Sequence, residues 1–212
     1  MTTVATLESK PYHHGDLRRA LLTAAETVLE RDGPTALSLR AVAREAGVSP
    51  AAPYHHFKDK RELLNAIARE GFSRIRSAMA GAIGEAGARE KGSSMGAAYV
   101  EFAQTNPALY RVMFDCARNG VDLREDDGEQ GGAYGFVRDT LASVTAGELG
   151  ALDLELTTIA SLCAAHGLAE MSKFERFKHV RDHLGGERAF IQAVLDHVSV
   201  MSRPRTPDLP HQ

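Results

Sequence analysis

Every patterned segment of this chain repeats its apolar residues at helical spacing, and this periodicity limits the possible fold more than any other feature. The first apolar stripe consists of Leu17, Ala20, Leu21, Ala24, Ala25, Val28 and Leu29. No segment alternates apolar and polar residues with the period of two that a half-buried strand requires. The sequence therefore predicts an all-α protein.

Capping residues and helix breakers mark the first three predicted helices. Asp16 is expected to cap the first helix, which the pair Gly33-Pro34 ends. Ser38 is the expected N-cap of a short second helix, and Gly47 offers the left-handed residue that ends it. Ser49 follows two residues later and is expected to cap a third helix.

A long fourth helix is predicted to begin with a capping box formed by Asp59 and Glu62 and to run to the glycine-rich stretch 84–92. Because of its length, this helix is expected to join two parts of the molecule. Five further helices are predicted from apolar groups that begin near Met95, Asn106, Phe136, Leu152 and Glu187. The sequence thus predicts about nine helices.

Composition places the chain among globular proteins, because its 212 residues are 43% hydrophobic and can bury a core. The sequence contains no run of about 18 apolar residues. Its opening segment lacks the basic and apolar regions of a secretory signal. We therefore expect a cytoplasmic protein with no membrane partner. The tail 202–212 contains three prolines and is expected to be disordered.

The net charge of −3 first suggests that nucleic acid is not a partner, but the charge is unevenly distributed. The stretch 120–132 contains five acidic residues and one arginine and is expected to be an exposed loop. Residues 1–60 have a net charge of +1. The total charge therefore does not exclude nucleic acid, although a contact with it would depend on positioned side chains rather than on a strong general field.

The segment from Ser38 to Phe57 carries the strongest functional signal. Two short helices joined by Gly47-Val48-Ser49, with the glycine first, are what a helix-turn-helix requires. The second helix begins with small side chains, so it can enter a major groove about 12 Å wide and approach the base edges. Pro53 removes a backbone donor near the fourth position of this helix. The recognition helix is therefore predicted to start late or to bend.

These residues resemble the tetracycline-repressor-like (TetR) family of bacterial transcriptional regulators. The resemblance covers about residues 12–75 and is carried by Ala46-Gly47-Val48-Ser49, Tyr54-His55-His56-Phe57 and Lys60. It implies that Tyr54, and His56 in the same way, contacts backbone phosphate. The full predicted DNA-binding set is Ser38, Arg40, Arg44, Ser49, Pro50, Ala51, Ala52, Tyr54, His55, His56 and Lys60.

Two further segments, residues 12–18 and 106–114, resemble one branch of that family. The C-terminal domain of this branch is named for a tryptophan-histidine-glycine motif. His166-Gly167 matches the last two positions of the motif. The tryptophan position of the motif, four residues before the histidine, is Leu162 here. The chain contains no tryptophan.

The resemblance implies a homodimer that represses transcription from a near-palindromic operator until a small molecule binds its larger domain. It divides the chain into a flexible arm at 1–12, a DNA-binding domain at 13–75, and a ligand-binding and dimerisation domain at 76–201. The predicted effector contacts are Tyr99, Phe102, Tyr110, Met113, Phe114 and Phe136. The predicted dimer contacts, on the last two helices, are Ala164, Ala165, His166, Gly167, Phe190, Val194 and Val198.

Several other functions are weighed against this one. A transcriptional activator, or a regulator that responds to metal or redox state, would share the DNA-binding part. No HExxH, GxSxG or phosphate-binding glycine loop is present, so the sequence predicts neither an enzyme nor a cofactor. A helical protein-protein adaptor would leave the helix-turn-helix spacing unexplained. No metal site is expected, because Cys116 and Cys163 are 47 positions apart and no histidine pair completes a ligand set.

Overall fold

The computed structural model describes residues 14–84, 87, 90–119 and 132–201. The α-helices in these ranges are α1 (His14–Ala36), α2 (Leu39–Glu45), α3 (Lys60–Gly84), α4 (Lys91–Thr105), α5 (Pro107–Arg118), α6 (Gly132–Val144), α7 (Ala151–Met171), α8 (Lys178–Leu184) and α9 (Glu187–Met201). The described residues also form two 3₁₀ helices, Ala52–His55 and Glu175–Phe177, and no strand. The all-α prediction is confirmed. The predicted arm, the tail and residues 120–131 of the acidic loop lie outside the described residues.

The signals predicted to separate α1 from α2 act as expected. Gly33 has φ +78° and ψ 173°, so the helical conformation of α1 is interrupted directly before Pro34. Ser38 is the N-cap of α2, and its Oγ accepts a hydrogen bond of 3.1 Å from the backbone N–H of Ala41. This bond satisfies one of the free N–H groups at the start of the helix.

The predicted long helix is α3, which has 25 residues. At its start, Asp59 Oδ1 accepts a 2.9 Å hydrogen bond from the backbone N–H of Glu62, as the predicted capping box requires. The Glu62 carboxylate accepts from the backbone N–H of Lys58 at 2.6 Å, one residue before the box partner. Helix α3 packs against α1 and against α4, α5 and α6. The predicted domain boundary after residue 75 falls inside this helix and stays a prediction.

One hydrophobic core extends along α3 from the N-terminal helices into the C-terminal half. Its most deeply buried side chains include Leu21, Val28, Val42, Phe57, Ile67, Ile75, Met79 and Met113. A smaller cluster joins α4, α7 and α9 and consists of Val100, Leu168, Phe190, Ile191 and Leu195. The N-terminal helices therefore pack against the C-terminal half through a continuous set of apolar contacts. None of the described helices has both the length and the apolar content needed to cross a bilayer.

Four of the helix predictions differ from the structure. Helix α1 spans His14–Ala36, so Asp16 lies inside the helix and is not its N-cap. The helix predicted from Leu152 to about Phe174 is α7, which ends three residues earlier, at Met171. The sequence pattern missed α8, because Val180 and Leu184 alone do not form an amphipathic stripe. The third predicted helix is the 3₁₀ helix Ala52–His55 and not an α-helix. With α8 included, the described residues still contain nine α-helices.

Candidate functional site

The turn that follows α2 is built on one glycine. Gly47 has φ +67°, a left-handed conformation that residues with a Cβ rarely adopt. The backbone N–H of Val48 donates to the Ala43 carbonyl at 3.0 Å, and that of Gly47 donates to the Arg44 carbonyl at 3.2 Å. These bonds satisfy carbonyl groups at the end of α2 and redirect the chain. The geometry is that of the predicted helix-turn-helix.

The second helix of this motif is short and tightly wound. It is a 3₁₀ helix that begins at Ala52, three residues after Ser49. The backbone N–H of Tyr54 donates to the carbonyl three residues earlier at 3.1 Å. The late start expected from Pro53, which has no N–H, is confirmed. The prediction that Ser49 caps this helix is wrong, because the helix starts too far along the chain and has no side-chain cap.

The motif faces the core with its apolar residues and solvent with its polar ones. Phe57 is fully buried, and the Arg18 guanidinium lies 5.6 Å from the centre of its ring. Tyr54 is 54% exposed. Of the predicted DNA-binding set, the exposed members are Ser38, Arg40, Arg44, Ser49, Pro50, Ala51, Tyr54 and His55, and the half-buried members are Ala52, His56 and Lys60. Hydroxyl, imidazole and guanidinium groups are thus presented on a rigid apolar base.

The arginines of this region fall into two groups. Arg40 and Arg44 are exposed, and neither side chain forms a hydrogen bond or an ion pair within the described part of the chain. Arg31, in contrast, binds Asp32 and also Glu45 of α2, each at 2.9 Å. These carboxylates raise the pKa of Arg31 above its usual range. Arg40 and Arg44 are therefore available to phosphate groups, whereas Arg31 joins α1 to α2.

Lys60, predicted to bind DNA, has an intramolecular partner that the sequence did not show. Its Nζ donates a hydrogen bond of 2.8 Å to the Pro34 carbonyl, which joins the start of α3 to the end of α1. Two exposed cations nearby, Lys58 and Arg61, are absent from the predicted set. Their position beside the capping box, directly after the helix-turn-helix, is the signal that could have added them to the candidate phosphate contacts.

Three polar side chains meet inside the C-terminal half. Tyr110 Oη of α5 lies 2.6 Å from Nδ1 of His166 in α7 and 3.0 Å from Oη of Tyr99 in α4. Burial raises the pKa of Tyr99 to about 12 and also raises the pKa of Tyr110. Both phenols are therefore protonated near neutral pH. These hydrogen bonds join three helices and offer groups that a polar ligand can compete for.

Aromatic rings surround these polar groups. The ring of Phe114 lies 4.7 Å from that of Tyr110 and 4.6 Å from that of His166, between centroids. Phe72 of α3 packs against Phe114 at 5.6 Å. We call Phe72, Tyr99, Tyr110, Phe114 and His166 the aromatic cluster. It brings together side chains from α3, α4, α5 and α7, so a change in the packing of this cluster affects the contacts of four helices.

The predicted effector contacts divide between the aromatic cluster and its surroundings. Tyr99, Tyr110 and Phe114 belong to it, together with two residues, Phe72 and His166, that were not predicted as effector contacts. The other three predicted contacts have different neighbours. Fully buried Met113 packs against α3, Phe102 lies 6.0 Å from the Arg74 guanidinium, and Phe136 lies 5.6 Å from that of Arg76.

Comparison with known families matches both halves of the chain. The protein-family model described as "Bacterial regulatory proteins, tetR family" matches residues 21–67. A second family model, described as "Tetracyclin repressor-like, C-terminal domain", matches residues 93–197. The chain belongs to the TetR family. The N-terminal match contains the helix-turn-helix described above, so the protein is a DNA-binding transcriptional regulator.

Individual relatives support this TetR assignment. The HTH-type transcriptional regulator BetI of Rhizobium meliloti (strain 1021) is 41% identical over 59 residues, which are 28% of this chain and 29% of BetI. The chain thus matches less than a third of that relative's length. A protein of unknown function from Rhodococcus sp. RHA1 is 33% identical with a TM-score of 0.72, over 91% of this chain and 98% of the other. A tetR-family regulatory protein from Rhodococcus RHA1 shares the fold, with 22% identity and a TM-score of 0.61 over 88% and 96% of the chains.

The predicted dimer contacts occupy different positions in this TetR fold. Ala165 and Phe190 are buried within the single chain, and His166 belongs to the aromatic cluster. The half-buried members are Ala164, Gly167, Val194 and Val198. The prediction did not include a more exposed apolar row on α7, formed by Leu152, Leu156 and Ile159, which are 71%, 55% and 49% exposed. Their spacing of four and three residues is the signal that could have identified this row.

The described residues contain no group of three or more His, Cys, Asp or Glu side chains positioned to hold a metal ion. Both cysteines are free, Cys116 buried in α5 and Cys163 exposed on α7. Burial raises the pKa of the Cys116 thiol. A raised pKa disfavours the reactive thiolate form of this residue.

Proposed function

We propose that this TetR protein is a homodimeric repressor that binds a near-palindromic operator and is released from it by a small-molecule effector. The observation that carries the proposal is the exposed face of the helix-turn-helix, where Arg40, Arg44 and Tyr54 extend from a buried base. Guanidinium and phenol groups suit phosphate oxygens, and the small residues 49–52 allow the backbone to approach base edges.

The exposed apolar row on α7 supports the dimer. Leu152, Leu156 and Ile159 would be covered if α7 and α9 pair with the same helices of a second copy as a four-helix bundle. Val194 and Val198 of α9 would complete this interface. A two-fold dimer presents two helix-turn-helix motifs, which suits half-sites about one or more helical turns apart.

The aromatic cluster is the proposed effector site. It combines hydrogen-bonding groups, Tyr99, Tyr110 and His166, with the rings of Phe72 and Phe114. A few polar groups among aromatic rings are typical of sites for small organic ligands. A ligand that inserts here would change the packing of four helices, including the α3 helix that leads to the DNA-binding motif.

Selection of bound duplexes from a random DNA pool tests the DNA-binding part. We expect an enriched palindrome, and affinity measured by fluorescence anisotropy should fall steeply with salt. Arg40→Gln should weaken binding and reduce the salt slope by about one. Arg188→Gln is the matched control, because it removes the same charge from an exposed position on α9. Enrichment of no sequence, with equal affinity for all duplexes, would contradict the proposal.

The oligomeric state tests the proposed interface. Leu156→Glu should convert a dimer into a monomer in sedimentation analysis, because it places a charge in the apolar row. Leu184→Glu makes the same change at an exposed leucine of α8 and should leave the dimer intact. A monomeric unsubstituted protein, or dimers with both substitutions, would reject this interface.

The proposal extends to the branch of the family, the location of the protein and the direction of regulation. Residues 106–114 and His166-Gly167 support the tryptophan-histidine-glycine branch of the family. Because its proposed target is DNA, we expect this regulator in the bacterial cytoplasm, and we assign it no catalytic activity. Transcription from the selected palindrome decides the direction of regulation. We expect the protein to lower transcript levels, whereas an activator would raise them.

A further inference from the structure

Arg74 of α3 lies where three parts of the chain meet. Its Nη1 donates to Oε2 of Glu26 in α1 at 2.7 Å, and its Nη2 donates to Oδ1 of Asn106 at 3.0 Å. The guanidinium also lies over the ring of Phe102, 6.0 Å from its centroid. One side chain thus connects the first helix, the long α3 and the corner between α4 and α5.

Asn106 forms that corner and uses its polar groups on both sides of it. Its Nδ2 and its backbone N–H both donate to the Phe102 carbonyl at the end of α4, each at 3.0 Å. Its carbonyl accepts the backbone N–H of Tyr110 at 2.9 Å, within the first turn of α5. Because Tyr110 belongs to the aromatic cluster, one helical turn separates the Arg74 contact from the proposed effector site.

Close packing near this contact ties α3 to α5. Gly71 precedes Arg74 by one turn, and a Cβ at this position would lie 2.5 Å from Sδ and 2.6 Å from Cγ of Met113. Met113 is fully buried, so its side chain fills the space beside Gly71. A displacement of α5 must therefore move α3 with it or break the contacts of Arg74.

We propose that Arg74 couples the aromatic cluster to the DNA-binding half. With both hydrogen bonds formed, it fixes α1 relative to the corner between α4 and α5. A ligand that displaces α5 separates Asn106 from Arg74 and allows α1 to change position. Arginine suits this role because its planar fork holds two acceptors in fixed directions, which a lysine ammonium does not. The coupling rests on the proposed effector control and names the residue that transmits it.

Pulsed dipolar EPR on the full-length protein tests this coupling without an effector. A nitroxide at Thr23→Cys, an exposed position in the continuous part of α1 before Gly33, reports the distance between the two DNA-binding halves of the dimer. The label is attached in a Cys163→Ser background, since Cys163 is exposed and Cys116 is buried. We expect one narrow distance distribution for this labelled protein, because the Arg74 contacts hold α1 in place.

Two substitutions remove different parts of the connection. Glu26→Gln removes the ion pair, and Arg74→Lys keeps the charge but loses the fork that reaches Asn106. Both should broaden the distance distribution and shift its mean. The control is Glu45→Gln, which removes the 2.9 Å ion pair to Arg31 within the N-terminal half and should leave the distribution unchanged.

The possible results separate this inference from the function on which it rests. Equal distributions in the labelled protein and all three variants overturn the coupling and leave the dimeric regulator intact. Absence of a dipolar signal, because the protein is a monomer, overturns both. Circular dichroism checks the fold of each variant. Arg74→Lys retains charge and length and decides the question even if Glu26→Gln unfolds.

Discussion

Replacement of Gly71 by alanine should destabilise the protein, although alanine normally strengthens a helix. Gly71 is buried in the middle of α3, where α3 crosses α5. The added Cβ would lie 2.5 Å from Sδ of Met113, 2.6 Å from its Cγ and 3.1 Å from Cδ1 of Leu109. Real Cβ atoms essentially never lie within 3.0 Å of a non-bonded heavy atom, as both Met113 contacts would require. Either Met113 changes its rotamer or α5 moves away from α3.

Two opposing effects set the magnitude of this change. Alanine in place of glycine in a helix interior gains roughly 1 kcal/mol, mainly through lower backbone entropy in the unfolded chain. Overpacking of a filled core costs roughly 1–3 kcal/mol. Met113 has no exposed surface into which it can withdraw, so the cost should lie in the upper part of that range. We expect a net loss of about 1–2 kcal/mol in the free energy of unfolding.

Urea unfolding followed by circular dichroism, at one fixed protein concentration, measures this loss. The matched control is Gly81→Ala in the same helix, where nothing lies within 4 Å of the added Cβ. That variant should be more stable by roughly 0.5–1 kcal/mol. If Gly71→Ala is stabilised as much as Gly81→Ala, the close packing of α3 on α5 is refuted, and with it one support for the coupling through Arg74.

Three further predictions concern single residues. Burial raises the pKa of Tyr99 from 10.0 to about 12. The contribution of the protonated phenol to the free energy of unfolding is therefore complete below pH 10 and should be lost as pH rises through 12. The loss should be on the order of 2 kcal/mol and should shrink in Tyr99→Phe, as alkaline denaturation curves will show. Lys60→Met should cost about 1 kcal/mol in thermal unfolding through loss of its bond to the Pro34 carbonyl, without a change in the salt slope of DNA binding. A slope reduced by about one would instead restore Lys60 as a phosphate contact. Gly47→Ala should destabilise by about 1–2 kcal/mol and Gly47→Asn by less, since φ is +67° and asparagine tolerates this conformation better; equal losses would contradict this reasoning.

The caps of α2 and α3 and the helix-turn-helix could be predicted because they depend on residues close in sequence. Ser38 caps α2 through the N–H three residues later, and Gly47 ends it through its own φ angle. Pro53 delays the recognition helix because the missing donor is its own. Where such local signals are weak, the prediction fails, as it does for α8, which has no apolar stripe.

The site residues were less predictable because their roles depend on helices distant in sequence. Lys60 carries the positive charge expected of a phosphate contact, but its ammonium group lies 2.8 Å from the Pro34 carbonyl near the end of α1. The small residues that flank His166 in the sequence indicate a dimer interface, whereas the structure puts its Nδ1 2.6 Å from Tyr110 of another helix. No pattern within α7 could show which of its faces would meet α5.

The sequence by itself determined the all-helical architecture and the helix-turn-helix, because both follow from periodicity, caps and turns within a few residues. Only the tertiary structure decided which side chains of separate helices meet. It brought the aromatic cluster together from four helices and left the α7 row uncovered. It also placed Arg74 between Glu26 and Asn106. Such contacts depend on how whole helices pack, and the same apolar stripes permit many packings.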